Sequence, residues 1–463
     1  PASFFYGCAT SAYQIEGSTK AGGRGESQWD AYIHNTTGSA HVANGDDAEV
    51  AMDFYNTYKQ DIPLFKSALG IDTFSFSIAW TRILPHGNET TPNQAGVDFY
   101  KDMIATAKAQ SMLVACTLFH WDFPQALQAK YGGWLDDRII EDYAHYAKMT
   151  MEALGHGCDM WITVNEPRTF CTTSYGPQPN IGAPGFPATH LQTFECVHRV
   201  LLAHAKANQA FWDLKRKGKV HGRVGIKIDG APLEPFDVFN ATVVKAIQPA
   251  MDMMGWILAP LTTGDYASAM RKVMGAKLPT FTPQQSAGLK DSYHFIAWDS
   301  YATMYAKPTD GACVDETNPL WPACVELMPV NKTGVSIGEP TGSFWNFQGN
   351  DTIIKGMRYM HQRWNPKALA IGENGLSLPS SPTLSLNDSL HDLQRIRWYR
   401  NAVNQINTIL DEGKIPFVGY LAWSCISNFE WIQGYQEDFG LIYAKPGANQ
   451  TRYIKESASF LQA

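Results

Sequence analysis

The sequence predicts an α/β fold, a single (β/α)8 TIM barrel with long βα loops that spans residues 1–463. Short apolar runs recur along the whole chain, and stretches with helical spacing of apolar residues separate them, which is the pattern of parallel βαβ units. The chain has eight such runs, the number that closes a barrel. No low-complexity segment or linker divides it, and segments 310–345 and 377–390 are expected to be insertions.

The predicted strands are short and apolar, as expected for strands buried on both faces. In order they cover 4–9, 73–80, 113–119, 160–164, 223–228, 294–298, 368–373 and 416–423. The fourth ends before Pro167, because proline cannot donate to a sheet. The seventh ends in Glu373, and the turn signal Asn374-Gly375 follows it.

The predicted helices lie between these strands and carry apolar residues on one face. They cover 53–69, 100–110, 138–154, 192–216, 351–363 and 392–412. Gly70 follows the first helix and Gly155 follows the third, as is common where helices end.

The composition is that of an ordinary globular protein, with 44% hydrophobic and 17% charged residues. The net charge of −7 and the absence of a basic stretch argue against a nucleic-acid partner. No apolar stretch is long enough to span a bilayer. The 14 tryptophans either fill the core or offer stacking faces for sugar rings, and composition does not choose between these roles.

Several features predict a secreted, N-glycosylated protein. The sequence begins with Pro1 and not with Met, so an upstream segment is expected to have been removed or left out. Seven acceptor sequons, mostly in polar turn-like stretches, exceed the few that chance supplies. They are at Asn35, Asn88, Asn240, Asn331, Asn350, Asn387 and Asn449.

The eight cysteines include no Cys-X-X-Cys pair, so they predict no metal site. Cys313 and Cys324 bracket a polar loop and are the first disulfide candidates, and Cys171 with Cys196 is the second. Three other cysteines lie in apolar, strand-like runs and are expected to be buried thiols. These are Cys8, Cys116 and Cys425.

Two glutamates mark strand ends, Glu166 after the fourth strand and Glu373 at the end of the seventh. In a closed barrel these strands are three steps apart, so the carboxylates could face each other across the axis. Two facing carboxylates in an aromatic cleft cleave glycosidic bonds. Each glutamate alone could be a solvated loop acid, but other polar and aromatic tips at strand ends favour catalysis. Those tips include Gln14, His120, Asn165, Tyr301, Trp423 and Glu430.

The motifs around both glutamates resemble those of glycoside hydrolase family one, the β-glucosidase family. Residues 161–167, Trp-Ile-Thr-Val-Asn-Glu-Pro, resemble its acid/base motif, and residues 371–375, Ile-Gly-Glu-Asn-Gly, resemble its nucleophile motif. Further matches follow in the family's order, at 11–17, 118–127 and 428–435. The resemblance covers nearly the whole chain.

The resemblance implies double displacement with retention of configuration. Glu373 is the expected nucleophile, and Glu166 is the expected general acid and then general base, with carboxyl groups about 5–5.5 Å apart. Glu373 must be ionised while Glu166 holds a proton, and the charge of Glu373 is one cause that would raise the pKa of Glu166.

The resemblance also implies a sugar-binding set. Trp423 is expected under the sugar ring, Tyr301 on the nucleophile and Trp345 at the leaving group. The remaining members are expected to contact the substrate, Asn165 through the 2-hydroxyl. They are Gln14, His120, Trp121, Asn165, Glu430, Trp431 and Phe439. The residues alone leave open that the tryptophans are core and that His120 is a satisfied buried histidine.

Four positions depart from the family pattern. Ser75 stands where the family has an arginine near the nucleophile, which leaves open how Glu373 is kept ionised. Asp299 replaces an asparagine, Ser300 a tyrosine and Asp438 an arginine. Glu166 is retained, unlike the glutamine of plant thioglucosidases, and Glu430 before a tryptophan favours an unphosphorylated sugar.

The expected function is therefore hydrolysis of β-glycosides, in particular β-glucosides or β-linked oligosaccharides, without a metal or organic cofactor. One alternative is a transglycosidase, which would pass the same covalent intermediate to an alcohol or sugar. The other, suggested by Ser75 and Asp299, is a catalytically silent sugar-binding protein.

Overall fold

In the computed structural model, eight parallel strands form a closed barrel, which confirms the predicted fold class. The structure describes residues 4–35, 41–177, 181–309, 311, 313–349, 351–381, 383–446 and 450–462. The barrel strands are β1 (Phe5–Ala9), β2 (Thr73–Ser77), β3 (Leu113–Thr117), β4 (Met160–Ile162), β5 (Arg223–Asp229), β6 (Phe295–Asp299), β7 (Leu369–Glu373) and β8 (Phe417–Trp423).

Each strand pairs with its neighbours in chain order, and β1 pairs with β8 from Phe5↔Gly419 to Ala9↔Trp423 to close the ring. All eight predicted strands are present, but several end earlier than predicted. Strand β2, for example, ends at Ser77, and the apolar residues after it enter the short buried helix Trp80–Ile83. A buried turn and a buried strand carry the same apolar signal, so the sequence does not separate them.

Six helices match the predicted ones. They are α1 (Phe54–Leu69), α2 (Gln94–Ala109), α3 (Arg138–Leu154), α4 (His190–Arg216), α5 (Thr352–Trp364) and α6 (Leu393–Glu412). Helix α2 begins six residues before the predicted start at 100. Its first turn contains Gly96, and a glycine weakens the helical pattern in the sequence. The structure requires glycine there, because an added Cβ would come within 2.0 Å of the Arg82 carbonyl oxygen.

The connection from β5 to β6 contains four helices that the sequence analysis did not predict. They are Ala241–Met254, Leu258–Thr263, Ser268–Met274 and Pro283–Leu289. Further short helices lie on the loops at Ala12–Ile15, Gln28–His34, Gln125–Tyr131, Pro167–Ser174 and Leu386–Leu390, and Glu456–Gln462 ends the described chain.

Small sheets stiffen the loops above the barrel. One has three strands, Leu233–Pro235, Met304–Pro308 and Val325–Met328. Three others are two-stranded pairs, Glu339–Pro340 with Phe347–Gln348, Leu378–Pro379 with Glu437–Asp438, and Ile442–Ala444 with Arg452–Ile454. The predicted insertions 310–345 and 377–390 therefore include short strands.

All eight cysteines form disulfides, so the prediction of buried thiols at Cys8, Cys116 and Cys425 is wrong. Cys8 pairs with Cys425 across the β1–β8 seam, and Cys116 of β3 pairs with Cys158, which precedes β4. Cys8 and Cys425 become neighbours only when β1 and β8 close the ring, and Cys116 and Cys158 only when β3 pairs with β4. Local sequence reveals neither pairing. The predicted pairs Cys313–Cys324 and Cys171–Cys196 are present.

The core has two layers. Side chains that point into the barrel form a small apolar cluster, with Phe5, Met160, Phe295 and Leu421 among its members. A much larger cluster fills the space between the strands and the surrounding helices. Within the described residues, no helix combines the length and apolarity needed to cross a membrane. The assignment of 1–463 to one domain stays a prediction.

Candidate active site

The two predicted catalytic glutamates meet at the C-terminal mouth of the barrel. Glu373 is the last residue of β7, and Glu166 begins the helix that follows β4. Oxygen atoms of Glu166, Glu373 and Asp299 all lie within 4.8 Å of one another, and all three side chains are buried. Oxygens this close leave too little room for the water that separates the two carboxyl groups of an inverting glycosidase, so the approach favours a retaining mechanism.

Backbone strain is concentrated at this mouth. Glu166 has a left-handed backbone with φ +46°, and Trp121 and Trp431 have φ +70° and +50°. Such conformations are unfavourable for residues with large side chains and persist where the surroundings fix them, often at functional sites. Pro167 supports the turn at Glu166, because its fixed φ suits the first position of the following helix.

Glu373 is held by two donors, one for each oxygen. The Tyr301 hydroxyl donates to Oε2 at 2.9 Å, as predicted. The Lys227 ammonium donates to Oε1 at 2.8 Å, a contact that the sequence analysis did not predict. Lys227 lies in the apolar run of β5. A lysine in such a run could have indicated an ion pair at this site, because a buried lysine requires an anionic partner.

The surroundings of Glu166 keep a proton on its carboxyl group. Burial raises the pKa of Glu166 well above its usual value, and the nearby Asp229 and Glu373 carboxylates raise it further. The positive charges of Arg168 and Lys227 oppose this effect without reversing it. Arg168 is also ion-paired with Asp229, a second contact that was not predicted.

The same cluster keeps Lys227 charged. Burial disfavours its ammonium form, but the carboxylates of Glu373 and Asp299 outweigh burial and raise the pKa of Lys227. Burial, followed by the charge of Glu373, raises the pKa of Asp299 well above its usual value. This shift favours the protonated form of Asp299, whereas the negative charge of its ionised form is one of the causes that raise the pKa of Lys227.

Gln14 and Glu430 lie together at one side of the mouth. Gln14 Nε2 donates to Glu430 Oε2 at 3.2 Å and to the Phe429 carbonyl oxygen at 2.9 Å. Asn428 Nδ2 donates to the same Glu430 oxygen at 2.7 Å. Burial and the charge of Glu437 raise the pKa of Glu430 to about 8.

An aromatic wall continues from this pair. The His120 ring is 5.9 Å from the Trp423 ring and 6.0 Å from the Trp431 ring, and Trp121 is 4.8 Å from Trp431. Asn165 Nδ2 donates to His120 Nε2 at 3.2 Å. Burial, aided by Lys227, lowers the pKa of His120 well below its usual value, so the imidazole is neutral.

Tyr301, Trp345 and Phe439 form a further aromatic group at the mouth, and they belong to the same apolar cluster as Trp423. The Trp345 ring is 5.4 Å from Tyr301 and 6.2 Å from Phe439. The structure thus brings the twelve predicted site residues to one mouth, although their contacts with a substrate stay predictions.

The other departures from the family pattern have structural partners. Ser300 donates its backbone N–H to the Glu373 carbonyl oxygen at 2.8 Å. Asp438 is ion-paired with buried Lys455, and its backbone carbonyl accepts from Arg395 at 2.6 Å. Ser75 lies within β2 between Ala9 and Ala115 and bears no charge.

Among the described residues, the three mouth carboxylates form the one group with the spacing of a metal site. The Lys227 ammonium already contacts Glu373 at 2.8 Å and places a positive charge in this group.

A closed (β/α)8 barrel with two facing carboxylates and aromatic walls defines a glycoside hydrolase. The family model described as glycosyl hydrolase family 1 matches residues 1–463, and the chain belongs to this family. It is an O-glycosyl hydrolase that acts on small glycosides.

Known relatives agree along the full chain. Raucaffricine-O-β-D-glucosidase of Rauvolfia serpentina is 33% identical, with 100% of this chain and 90% of that protein covered. Coniferin β-glucosidase of Pinus contorta is 34% identical, with 100% and 91% covered.

Solved structures agree as well. A rice β-glucosidase superposes with a TM-score of 0.94 at 32% identity, covering 100% of this chain and 98% of that one. The Humicola insolens β-glucosidase in complex with glucose gives 0.93 at 33% identity, covering 100% and 97%. These findings confirm the predicted enzyme class, a retaining β-glycosidase of the β-glucosidase family, over the transglycosidase and the silent binding protein.

Proposed function

We propose that the protein hydrolyses the terminal, non-reducing β-D-glucosyl residue of aryl or alkyl glucosides and oligosaccharides, with Glu373 as nucleophile and Glu166 as acid/base. The observation that carries this proposal is the pair of buried carboxylates within 4.8 Å in opposite surroundings. Glu373 contacts an ammonium, whereas Glu166 holds a proton because of its burial and its acidic neighbours.

In the first step Glu373 attacks the anomeric carbon while Glu166 gives its proton to the glycosidic oxygen. The bond from carbon to the leaving oxygen breaks, the aglycone departs as an alcohol, and a glycosyl ester forms on Glu373. Protonated Glu166 can act as the general acid in this step, whereas ionised Glu166 would have no proton to donate.

In the second step water attacks the same carbon, and Glu166, now ionised, accepts the proton of that water. The ester bond breaks and Glu373 leaves as a carboxylate. Two inversions at one carbon return the β-configuration.

The polar side chains of the mouth orient the sugar for both steps. Gln14 and Glu430 already contact each other, so they form one polar surface for adjacent hydroxyls. Asn165 contacts His120 and directly precedes Glu166 in the chain, which suits a contact between Asn165 and the 2-hydroxyl. Hydrogen bonds that hold the sugar ring in the reactive orientation lower the activation barrier of both steps.

The proposal is tested by proton NMR of the sugar released from an aryl β-glucoside. We expect β-glucose to appear first, and its release to stop in Glu373→Ala. The Glu166→Gln variant serves as a matched control that keeps the nucleophile but lacks the acid. Early α-glucose would contradict double displacement, and unchanged release by Glu373→Ala would exclude Glu373.

We also propose that the protein is a secreted N-glycoprotein. Four disulfides support this proposal, because they persist in oxidising compartments. Sequon asparagines at the surface support it as well, with Asn35, Asn88, Asn240 and Asn387 exposed and Asn331 partly exposed. The sequons at Asn350 and Asn449 lie outside the described residues. An amidase that removes N-glycans should lower the mass of the protein from its native source, and an unchanged mass would contradict the proposal.

A further inference from the structure

We propose that Lys227 is the positioning residue that supplies the positive charge at the nucleophile. The charge comes from β5, in a chain whose β2 carries Ser75 where the family pattern has an arginine. This inference rests on the proposed role of Glu373 and deepens it.

The contact between Lys227 and Glu373 is a buried ion pair. Nζ lies 2.8 Å from Oε1, and the two side chains are 2% and 5% exposed. The Tyr301 hydroxyl holds the other oxygen at 2.9 Å. The carboxylate of Glu373 is therefore fixed between a donor on β5 and a donor just after β6. Donors on both oxygens set the orientation in which the nucleophile meets the anomeric carbon.

The barrel interior leaves a path for the lysine side chain. Ala297 of β6 lies opposite Lys227 in the strand register, and Gly372 of β7 lies beside its stem. A Cβ added at Gly372 would come within 3.2 Å of Lys227 Cε and 2.5 Å of Asp299 Oδ1. Small residues on β6, the neighbour of β5, and on β7 beyond it thus make room for a long side chain that reaches Glu373.

The β2 side of the same interior offers no charge. Ser75 is paired in register with Ala9 of β1 and Ala115 of β3, and all three are buried. Arg168, the other cation that acts on the cluster, is ion-paired with Asp229. Lys227 on β5 therefore places a positive charge at the nucleophile in a chain that has the uncharged Ser75 on β2.

Several titratable groups surround the ion pair and would contribute to any pH dependence. They come from four strand ends and the loop after β8, and they are His120, Glu166, Asp229, Asp299, Tyr301 and Glu430. Burial lowers the pKa of His120 and raises the pKa of Glu166 and of Asp299, which favours the neutral form of each, whereas Glu373 is in direct contact with the Lys227 ammonium.

The pair has a role in both steps of the reaction. Before attack, the ammonium and the Tyr301 hydroxyl hold the carboxylate of Glu373 in one orientation. In a glycosyl ester formed through Oε2, the oxygen that contacts the ammonium, Oε1, becomes the carbonyl oxygen of the ester. When the ester breaks, the negative charge that returns to Glu373 is stabilised at once.

The test uses the full-length protein and a 2-deoxy-2-fluoro-β-glucoside with a dinitrophenolate leaving group. This reagent needs no acid, so the rate of covalent labelling, followed by intact mass, reports the nucleophile alone. For Lys227→Met we expect labelling to slow by roughly 10²–10³-fold, in line with the loss of one preorganised donor. The decrease should fall on the maximal labelling rate, with the reagent concentration at half-maximal rate nearly unchanged, because Lys227 contacts Oε1 of the nucleophile Glu373. Lys227→Arg, which keeps a positive charge and a donor, should recover most of the lost rate.

Lys455→Met is the matched control, because Lys455 is also buried and paired with an aspartate but lies away from Glu373. It should lower the melting temperature without slowing covalent labelling. If Lys227→Met lowered stability as Lys455→Met does and was labelled at the wild-type rate, or if Lys227→Arg recovered none of the lost rate, Lys227 would be purely structural and the inference would fail. Failure of the wild-type protein to become labelled at Glu373 would instead refute the proposed function.

Discussion

At the residue scale, Glu166 and Glu373 show how neighbours assign chemistry. Both are buried glutamates at strand ends, and oxygens of the two lie within 4.8 Å. Glu373 contacts Lys227 and Tyr301, whereas Glu166 faces Asp229 and Glu373. The first arrangement stabilises a carboxylate and the second stabilises a carboxylic acid, so one residue type serves two roles.

The raised pKa of Glu166 predicts the alkaline side of the activity profile. Activity requires protonated Glu166, so kcat/KM should fall as the pH rises through the pKa of Glu166 in the free enzyme. In Glu166→Gln that alkaline limb should disappear, and kcat/KM for alkyl glucosides should fall by about 10²–10⁴-fold. Pre-steady-state release of dinitrophenolate should change little, because this leaving group needs no proton. An alkaline limb that survives in Glu166→Gln would assign it to another group.

Asp299 predicts a pH-dependent gain in stability on substitution. Its pKa in the folded protein is raised above the usual 3.8, so the folded state binds more protons than the unfolded state between these values. The contribution of Asp299 to stability is therefore greatest below pH 3.8 and decreases as the pH rises. Asp299→Asn removes this dependence and should stabilise the protein by at least ~1 kcal/mol at neutral pH, with a smaller gain near pH 4. Thermal unfolding at both pH values checks this, and an equal gain at both would contradict the assignment.

The residues of the mouth were largely predictable, and Lys227 shows where prediction failed. Glu166, Glu373 and the aromatic tips follow strand ends, where local pattern and family resemblance agree. Lys227 lies inside a strand, and its side chain reaches across to β7. The missing arginine at Ser75 was visible in the sequence, but its replacement on another strand required the three-dimensional register.

At the element scale, the site depends on close packing between β5, β6 and β7. Gly372 directly precedes the nucleophile, and its missing side chain accommodates both Lys227 and Asp299. The strand pattern predicted β7 correctly, but it gave no reason for a glycine there. The reason is that the side chains of Lys227 from β5 and Asp299 from β6 occupy the space that a side chain at position 372 would need.

Gly372→Ala should therefore reduce activity without a change at either glutamate. The new Cβ would lie 2.5 Å from Asp299 Oδ1 and 3.0 Å from Ala297 Cβ, so Lys227 and Asp299 must shift. We expect kcat/KM to fall at least about tenfold, because small misplacements of a catalytic group cost large factors in rate. The measurement is steady-state hydrolysis of an aryl β-glucoside.

Gly288→Ala is the control for this change. Gly288 lies in the exposed helix Pro283–Leu289, and an added Cβ there would meet no atom within 4 Å. This variant should retain activity and gain up to ~1 kcal/mol of stability from helix propensity. Equal activity of the Gly372 variant and this control would show that the β7 contact is not tight.

The elements between β5 and β6 limit what the sequence could predict. Three of the four helices from Ala241 to Leu289 have only 6 or 7 residues, and the first, with 14 residues, contains Pro249. Short helices with mixed polarity lack the long periodic signal that identified α3 and α6. Their positions depend on packing against the barrel.

At the scale of the whole molecule, closure of the ring brings the site together. Glu430 follows β8 and Gln14 follows β1, so their contact at 3.2 Å exists only because these strands pair. The same seam carries the Cys8–Cys425 disulfide. The apolar runs around both cysteines predicted burial correctly, but only the closed ring identifies them as partners.

Loss of the seam disulfide should destabilise the protein more than loss of a local one. Cys8 and Cys425 are 417 residues apart, whereas Cys116 and Cys158 are 42 apart. In the chain-entropy model a loop of the larger size contributes about 6 kcal/mol, and a loop of the smaller size about 4 kcal/mol. Thermal unfolding of Cys8→Ala/Cys425→Ala, compared with Cys116→Ala/Cys158→Ala, should show the larger decrease for the seam pair. The reverse order would indicate that local packing dominates.

The seam disulfide also limits the effect of a single proteolytic cut. Because Cys8 and Cys425 join the two ends of the barrel, the backbone between them is a covalent circle. A single cut in any loop of this circle opens it but releases no fragment, and the strands on either side of the cut remain parts of one molecule. Under oxidising conditions a nicked barrel can therefore keep all eight strands, and with them both glutamates of its mouth, on one covalently connected chain.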